Sequence, residues 1–493
     1  MNIYTLAALA AYFVLMLAIG VYAWRKSTGD SAGYLLAGRN LSPSVAALSA
    51  GASDMSGWLL LGLPGALYVG GLVEAWIAIG LTVGAALNWI IVAPRLREQT
   101  ERLGNALTIP QFLANRFPES GTALRVTSAI IIVAFFTVYT ASGLVGGGKL
   151  FETAFAGVLP AAGLSDYMLG IVITAGIVLA YTMIGGFLAV SLTDFVQGLI
   201  MMTALVIMPL VVMFGPGGSA GGSIVAVPQE GFLDLTYGLT TIGFISAVTW
   251  GLGYFGQPHI IVRFMAIDRV ENVRRAGVIG MGWMIISLAG TIGLGLAGRA
   301  YAERNGLVVD DPETIFIVLA QLLFHPAVTG FLYAALLAAI MSTISSQLLV
   351  SSSSLTEDFY RLFLRRDASE REAVNVSRVA VALVATAAMV IARDPESQVL
   401  ELVSNAWAGF GAAFGPLILL ALTWGRMTGA GAVAGLVTGA GVVAGWIALG
   451  WNAELPDWLG GGPGLYEIVP GFAAATVAIV AVSTLTRPRA VAG

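Results

Sequence analysis

The chain has 493 residues, 57 % of them hydrophobic and 11 % charged, with no cysteine and two histidines. Soluble globular proteins carry about a quarter charged residues, so this is the composition of an integral membrane protein, and disulfides, thiolate metal sites and catalytic thiols are excluded. A net charge of −4 and a pI near 5.3 argue against nucleic acid as a partner.

A spanning helix needs about 20 mostly apolar residues. Thirteen such stretches follow one another, centred near residues 13, 55, 81, 135, 175, 201, 246, 287, 336, 384, 411, 438 and 475. The runs are continuously apolar, which excludes the alternation of a β-barrel. The first, MNIYTLAALAAYF, has no basic stretch before it and no clear cleavage site, and reads as a retained span. Basic residues favour the cytoplasmic side. With the N-terminus outside and the C-terminus cytoplasmic, 20 of the 24 basic residues fall in cytoplasmic segments, among them Arg39, Arg97, Arg263, Arg487 and Arg489. Lys149, Arg299, Arg304 and Arg393 fall outside. No soluble domain interrupts the spans, so residues 1–493 read as one transmembrane domain.

The second span carries GASDMSGWLLLG, residues 51–62. Asp54 has no basic residue within a dozen positions on either side, and a carboxylate at a helix centre costs roughly 2.5–3.5 kcal/mol on insertion scales. A structural aspartate satisfied by neighbouring hydroxyls is one account. However, Ser49, Gly51, Ser53, Ser56 and Gly57 crowd around it, and small hydroxylated residues at this density weaken a helix. Irregular backbone at membrane depth is tolerated only against protein or a wet cavity. A broken helix here is therefore expected, as in transporters.

Further along, GLVGGGK (Gly143–Lys149) has phosphate-loop spacing, but Leu150 stands where Ser or Thr is required and no strand precedes it. It is expected to end a packed helix. The seventh span holds WGLGYFGQPHI, residues 250–260, where three glycines and Pro258 again interrupt the helix. Two breaks five spans apart suggest an inverted repeat: spans 2–6 (about 42–214) and spans 7–11 (about 234–425). The extra helices lie at about 2–24, 428–449 and 465–486. In the ninth span, AAIMSTISSQ places Ser342 and Thr343 at mid-depth. Such hydroxyls often only bond back to their own helix. Beside a carboxylate and freed carbonyls, they make an oxygen-rich pocket suited to a hard cation such as sodium. Trp58, Tyr139, Trp250 and Tyr254 sit at or near the breaks and are candidates to wall a small-ligand pocket.

GASDMSGWLLLGLPG, YTMIGGFLAVSLTDFVQ, WGLGYFGQPHIIVRFMA, AAIMSTISSQLLVSSSSLTEDFY and SNAWAGFGAAFGP resemble the sodium:solute symporter family, from about Ala10 to Val482. The motifs around the two breaks are similar to its proline-transporting branch. The resemblance implies an all-α, leucine-transporter-like five-plus-five inverted repeat that imports L-proline with sodium across the plasma membrane. It implies a sodium site of backbone oxygens from Ala52, Met55 and Ala339 and hydroxyls from Ser342 and Thr343, with Asp54 and Ser56 in sodium coupling. It assigns the substrate to Ser56, Gly57, Trp58, Tyr139, Trp250, Tyr254 and Pro258, and gating or release to Arg39, Ser49 and Asp194. Beyond L-proline, Na+ and the lipid bilayer, no organic cofactor and no obligatory protein partner are expected. The rival readings are a proton-coupled transporter using Asp54, a symporter of another small amino acid or organic solute, a channel, and an enzyme. An enzyme would need a catalytic constellation, and none appears.

Overall fold

The computed structural model describes residues 2–26, 31–157, 163–215 and 227–486. Arg487, Arg489 and residues 216–226 of the Gly-rich segment lie outside them. Among the described residues every extended element is helical, and eleven helices are long and apolar enough to cross a membrane.

These eleven coincide with eleven of the thirteen expected spans. The principal helices are α1 (Ile3–Lys26), α2 (Pro43–Asp54), α3 (Gly62–Gly70), α4 (Ala75–Leu87), α5 (Gly121–Ala154), α6 (Asp166–Phe214), α7 (Thr241–Val248), α8 (Pro258–Ala266), α9 (Val273–Asn305), α10 (Pro326–Ser353), α11 (Glu370–Ile391), α12 (Val399–Thr423), α13 (Gly429–Ala448) and α14 (Ile468–Thr486). α6 is kinked at Gly186, whose φ of 58° only glycine adopts freely. It therefore supplies two spans, Asp166–Met183 and Gly186–Phe214. The two remaining positions, near 55 and 246, hold broken helices: α2 with α3, and α7 with α8. Neither pair is continuous enough to count as a long helix, for the reason their glycine, serine and proline content predicts.

Enclosure differs sharply along the chain. The windows of α10 and α12 are 83 % buried, and those of α1 and α14 only 28 %. Thus α10 and α12 form the centre with the broken helices, and α1 and α14 face outward. The second break packs backbone to backbone on α4. A Cβ at Gly84 would collide with the carbonyl of Gly251, and one at Gly251 with the carbonyl of Gly80. This approach requires glycine on both sides.

Three basic residues, Arg97, Lys149 and Arg263, lie buried in helices. Arg263 was assigned to a cytoplasmic segment, but it is fully buried in α8. Arg97 is likewise buried, with Nε donating to the Ile267 carbonyl at 2.6 Å. Both had been counted by charge alone. GLVGGGK is an unbroken part of α5, and Lys149 is buried there against Asp311 at 2.7 Å and Glu313 at 2.8 Å.

Candidate functional site

α2 stays helical through Asp54 and then stops. The Met55 N–H still returns to the Gly51 carbonyl at 2.8 Å, but the Ser56 N–H turns to the Asp54 carbonyl at 2.9 Å. The Ala52 carbonyl thereby loses the donor that a continued helix would give it. Ser56 is extended, and its hydroxyl accepts from the Trp58 N–H at 3.5 Å. A short 3₁₀ turn, Gly57–Leu59, leads to α3.

The freed Ala52 carbonyl is answered from α10. Ser342 Oγ donates to it at 2.7 Å, and lies 3.2 Å from the Ala339 carbonyl. Thr343 Oγ1 donates to the same Ala339 carbonyl at 3.2 Å. Four of the five expected sodium ligands are thus gathered between α2 and α10. The fifth, Met55, is buried at the break itself. The cluster is built of oxygens, the donor set a hard cation takes.

Asp54 points elsewhere. Its Oδ2 accepts from Tyr254 Oη of the second break, while Oδ1 has no partner among the described residues. Its backbone carbonyl lies 3.4 Å from Tyr139 Oη of α5. Asp54 therefore joins three elements and sits beside the oxygen cluster. A cavity of about 20 Å³ lies against Asp54, Met55, Tyr254, Asn88, Trp89 and Met284, enough for about one water.

The second break is a 3₁₀ stretch, Thr249–Gly256, closed by Gln257 in an extended conformation. Pro258 then starts α8 at a position where a missing N–H costs nothing. The Trp58 and Trp250 ring centroids lie 6.4 Å apart, and Trp250 stacks on Tyr466 at 5.1 Å. Trp407 donates Nε1–H to the Trp250 carbonyl at 2.8 Å and meets Tyr254 edge-on at 5.1 Å. Gly57 packs close to Ile340. Trp250 also borders an open cleft of about 440 Å³, lined in part by Gly62, Gly65, Asp311, Gln398 and Ser404. Pro258 does not share this cleft. It lines a separate cavity with Thr108, Phe187 and Val350.

Ser49 and Asp194, assigned separately to release, form one network. Ser49 Oγ donates to Asp194 Oδ2 at 2.7 Å, and Arg263 reaches Ser49 at 3.1 Å and Asp194 at 3.2 Å. Arg263 also donates to Ser346 Oγ of α10 and to the His259 carbonyl. Arg39 is held apart from this group. It donates to Asn105 Oδ1 at 2.7 Å and to the Met265 and Ala106 carbonyls, both at 2.7 Å. Burial, then the nearby Arg97 charge, pushes its guanidinium down to about 10, so it remains charged at neutral pH. Ala37 and Arg39 adopt positive φ, 48° and 55°, a conformation costing roughly 1–2 kcal/mol per residue, and Arg39's hydrogen bonds hold it there.

Arg263, Ser346, Trp407 and Tyr466 were absent from the expected site. The one sequence signal was Arg263 itself, a lone cation in the apolar run HIIVRFMA.

Two helices broken at one level, with an oxygen cluster between the first break and a central helix, define a membrane transporter of the broken-helix class. The chain belongs to the Sodium:solute symporter family, whose profile matches residues 34–439. It is 52 % identical over 474 residues to the high-affinity proline transporter PutP of Bacillus subtilis (strain 168), covering 96 % of each chain. It is 50 % identical over 489 residues to a sodium/proline symporter of Staphylococcus aureus (strain JH9), covering 99 % of this chain and 93 % of the relative. The fold is that of a solved Na+-coupled sialic acid symporter in a substrate-bound outward-open state, with a TM-score of 0.80 at 18 % identity over 99 % of both chains. A nucleobase-cation-symport-1 family transporter in a closed conformation aligns with a TM-score of 0.57 at 15 % identity, over 92 % of this chain and 95 % of that one. These relatives and this fold belong to transporters, not enzymes.

Proposed function

We propose that the protein imports L-proline together with sodium across the plasma membrane by alternating access. Sodium binds between α2 and α10, on carbonyls of Ala52, Met55 and Ala339 and hydroxyls of Ser342 and Thr343. The observation that carries this reading is the Ala52 carbonyl, released by the break and met by the Ser342 hydroxyl at 2.7 Å. Proton carriage by Asp54 needs no such oxygen cluster.

Asp54 supplies negative charge beside the ion and fixes α2 to the second break through Tyr254. Sodium binding therefore orders both breaks at once. Proline lies among Ser56, Gly57, Trp58, Tyr139, Trp250 and Tyr254. The Gly57 N–H at the break donates to the carboxylate, and the aromatic faces receive the secondary ammonium. Pro258 acts by starting α8 at the correct angle. Coupling is reciprocal, so each ligand raises the other's affinity by one factor. The membrane potential adds about 2.3 kcal/mol per charge per 100 mV.

The two broken helices complete thirteen spans, with the N-terminus outside and the C-terminus cytoplasmic. The units 42–214 and 234–425 are inverted repeats that rock about the site. The cleft at Trp250 is the entry side. The Arg39 contacts and the Ser49–Asp194–Arg263 network close the exit side and release when it opens.

The test is L-proline binding to the purified protein with sodium and with choline in its place. Sodium is expected to tighten proline, and proline to tighten sodium equally. Proline affinity indifferent to sodium would refute the coupling.

A further inference from the structure

Outside these sites, the C-terminal end of α4 and the first turns of α9 border a groove of about 850 Å³. Trp89 and Ile90 form one wall, and Gly277 and Gly282 the other. Ile90 is 67 % exposed and the neighbouring Val278 69 %, so the groove opens sideways off the bundle. A Cβ on Gly282 would meet nothing within 4 Å. From Arg274 to Ile285, both of which line the groove, α9 rises about 16 Å at 1.5 Å per residue. One leaflet of a hydrocarbon core about 30 Å thick has nearly that depth.

An apolar groove at membrane depth takes lipid chains of any kind. What distinguishes this one is its charged mouth. Arg274 lines it and Arg275 follows, both exposed, and Arg95 is exposed next to Pro94 of the opposite wall. Glu271 is the acidic residue lining the mouth. Asp268, nearby, is already engaged by Asn272 at 2.8 Å. Three cations facing one free carboxylate favour an anionic ligand, and basic pockets between spanning helices suit anionic headgroups.

We propose that this groove binds one phospholipid with an anionic headgroup. Its phosphate sits at Arg274 and Arg275, and an acyl chain runs along Val278 and Gly282 beside Ile90. The site adjoins the transport centre. Trp89 and Met281 also line the small cavity at Asp54 and Tyr254, and the Trp89 ring centroid lies 4.4 Å from that of Phe264 in α8. The lipid therefore backs the wall behind Asp54.

The test is native mass spectrometry of the full-length protein, titrated with phosphatidylglycerol and phosphatidylcholine of identical acyl chains. The wild type is expected to retain one phosphatidylglycerol about tenfold or more in preference. Arg274→Gln with Arg275→Gln, both on the surface, should abolish the preference. Gly282→Leu, which fills open space without collision, should lower occupancy by either lipid at this site. Equal retention of both lipids by the wild type, or an intact preference in the double variant, would overturn the proposal. A dimer dissociated by Gly282→Leu would assign the groove to a second copy and also overturn it.

Discussion

Asp54 bonds sideways to Tyr254 of the second break, while Ser342 holds the first break to α10 and Thr343 bonds back to Ala339 within α10. The two kinds of residue should fail differently. Asp54→Asn keeps the size of the side chain and removes its charge. It is expected to leave the protein folded and to weaken sodium at least about tenfold, within the usual range of coupling energies. Sodium titration of proline binding measures this, and unchanged sodium affinity would remove Asp54 from coupling. Ser342→Ala with Thr343→Ala removes two of the proposed ion ligands together with the Ser342 bond to the Ala52 carbonyl. Sodium should weaken on the order of tenfold to a hundredfold. At saturating sodium, the ranking of proline against other amino acids should persist. A changed ranking would place these hydroxyls in the substrate pocket. Trp250→Ala is the converse: proline weakens while sodium binding in the absence of proline is retained. Unaltered proline affinity would move the substrate away from the Trp58–Trp250 rings.

The two breaks were legible because glycine, serine and proline interrupt helices by local physics, wherever the chain later folds. The thirteen apolar runs were legible from their length and continuous hydropathy, whereas the kink at Gly186 within α6 was not singled out. Contacts between elements were not legible. Tyr254 meets Asp54 across 200 positions, and Arg263 meets Asp194 across 69. Charge alone placed Arg263 in a segment facing water, whereas α8 buries it against a carboxylate that α6 supplies. Removing one partner of a buried pair leaves an uncompensated charge, worth about 3–5 kcal/mol. Arg263→Ala is therefore expected to lower thermal stability sharply, and Arg263→Ala with Asp194→Ala to recover part of it. A double variant no more stable than the single one would mean that the pair does not hold α8 to α6.

Across the bundle, α10 links the two ends of the site. It is among the most enclosed spans, and it touches the first break through Ser342 and the Asp194 network through Ser346. One helix thus connects the ion cluster to the network proposed to close the exit. In the proposed mechanism, a cation that pulls α2 onto α10 would also set Ser346 relative to Arg263 and so join filling to release. Pro258, which the family resemblance assigns to the substrate, lies at the head of α8 away from the Trp250 cleft.

The most direct test of sodium coupling is uptake of radiolabelled L-proline into proteoliposomes. One set would have an inward sodium gradient, and a matched set a proton gradient without sodium. Uptake with sodium alone is the predicted result, abolished by the Ser342/Thr343 double variant. Uptake driven equally by protons without sodium would contradict it and make Asp54 a proton carrier.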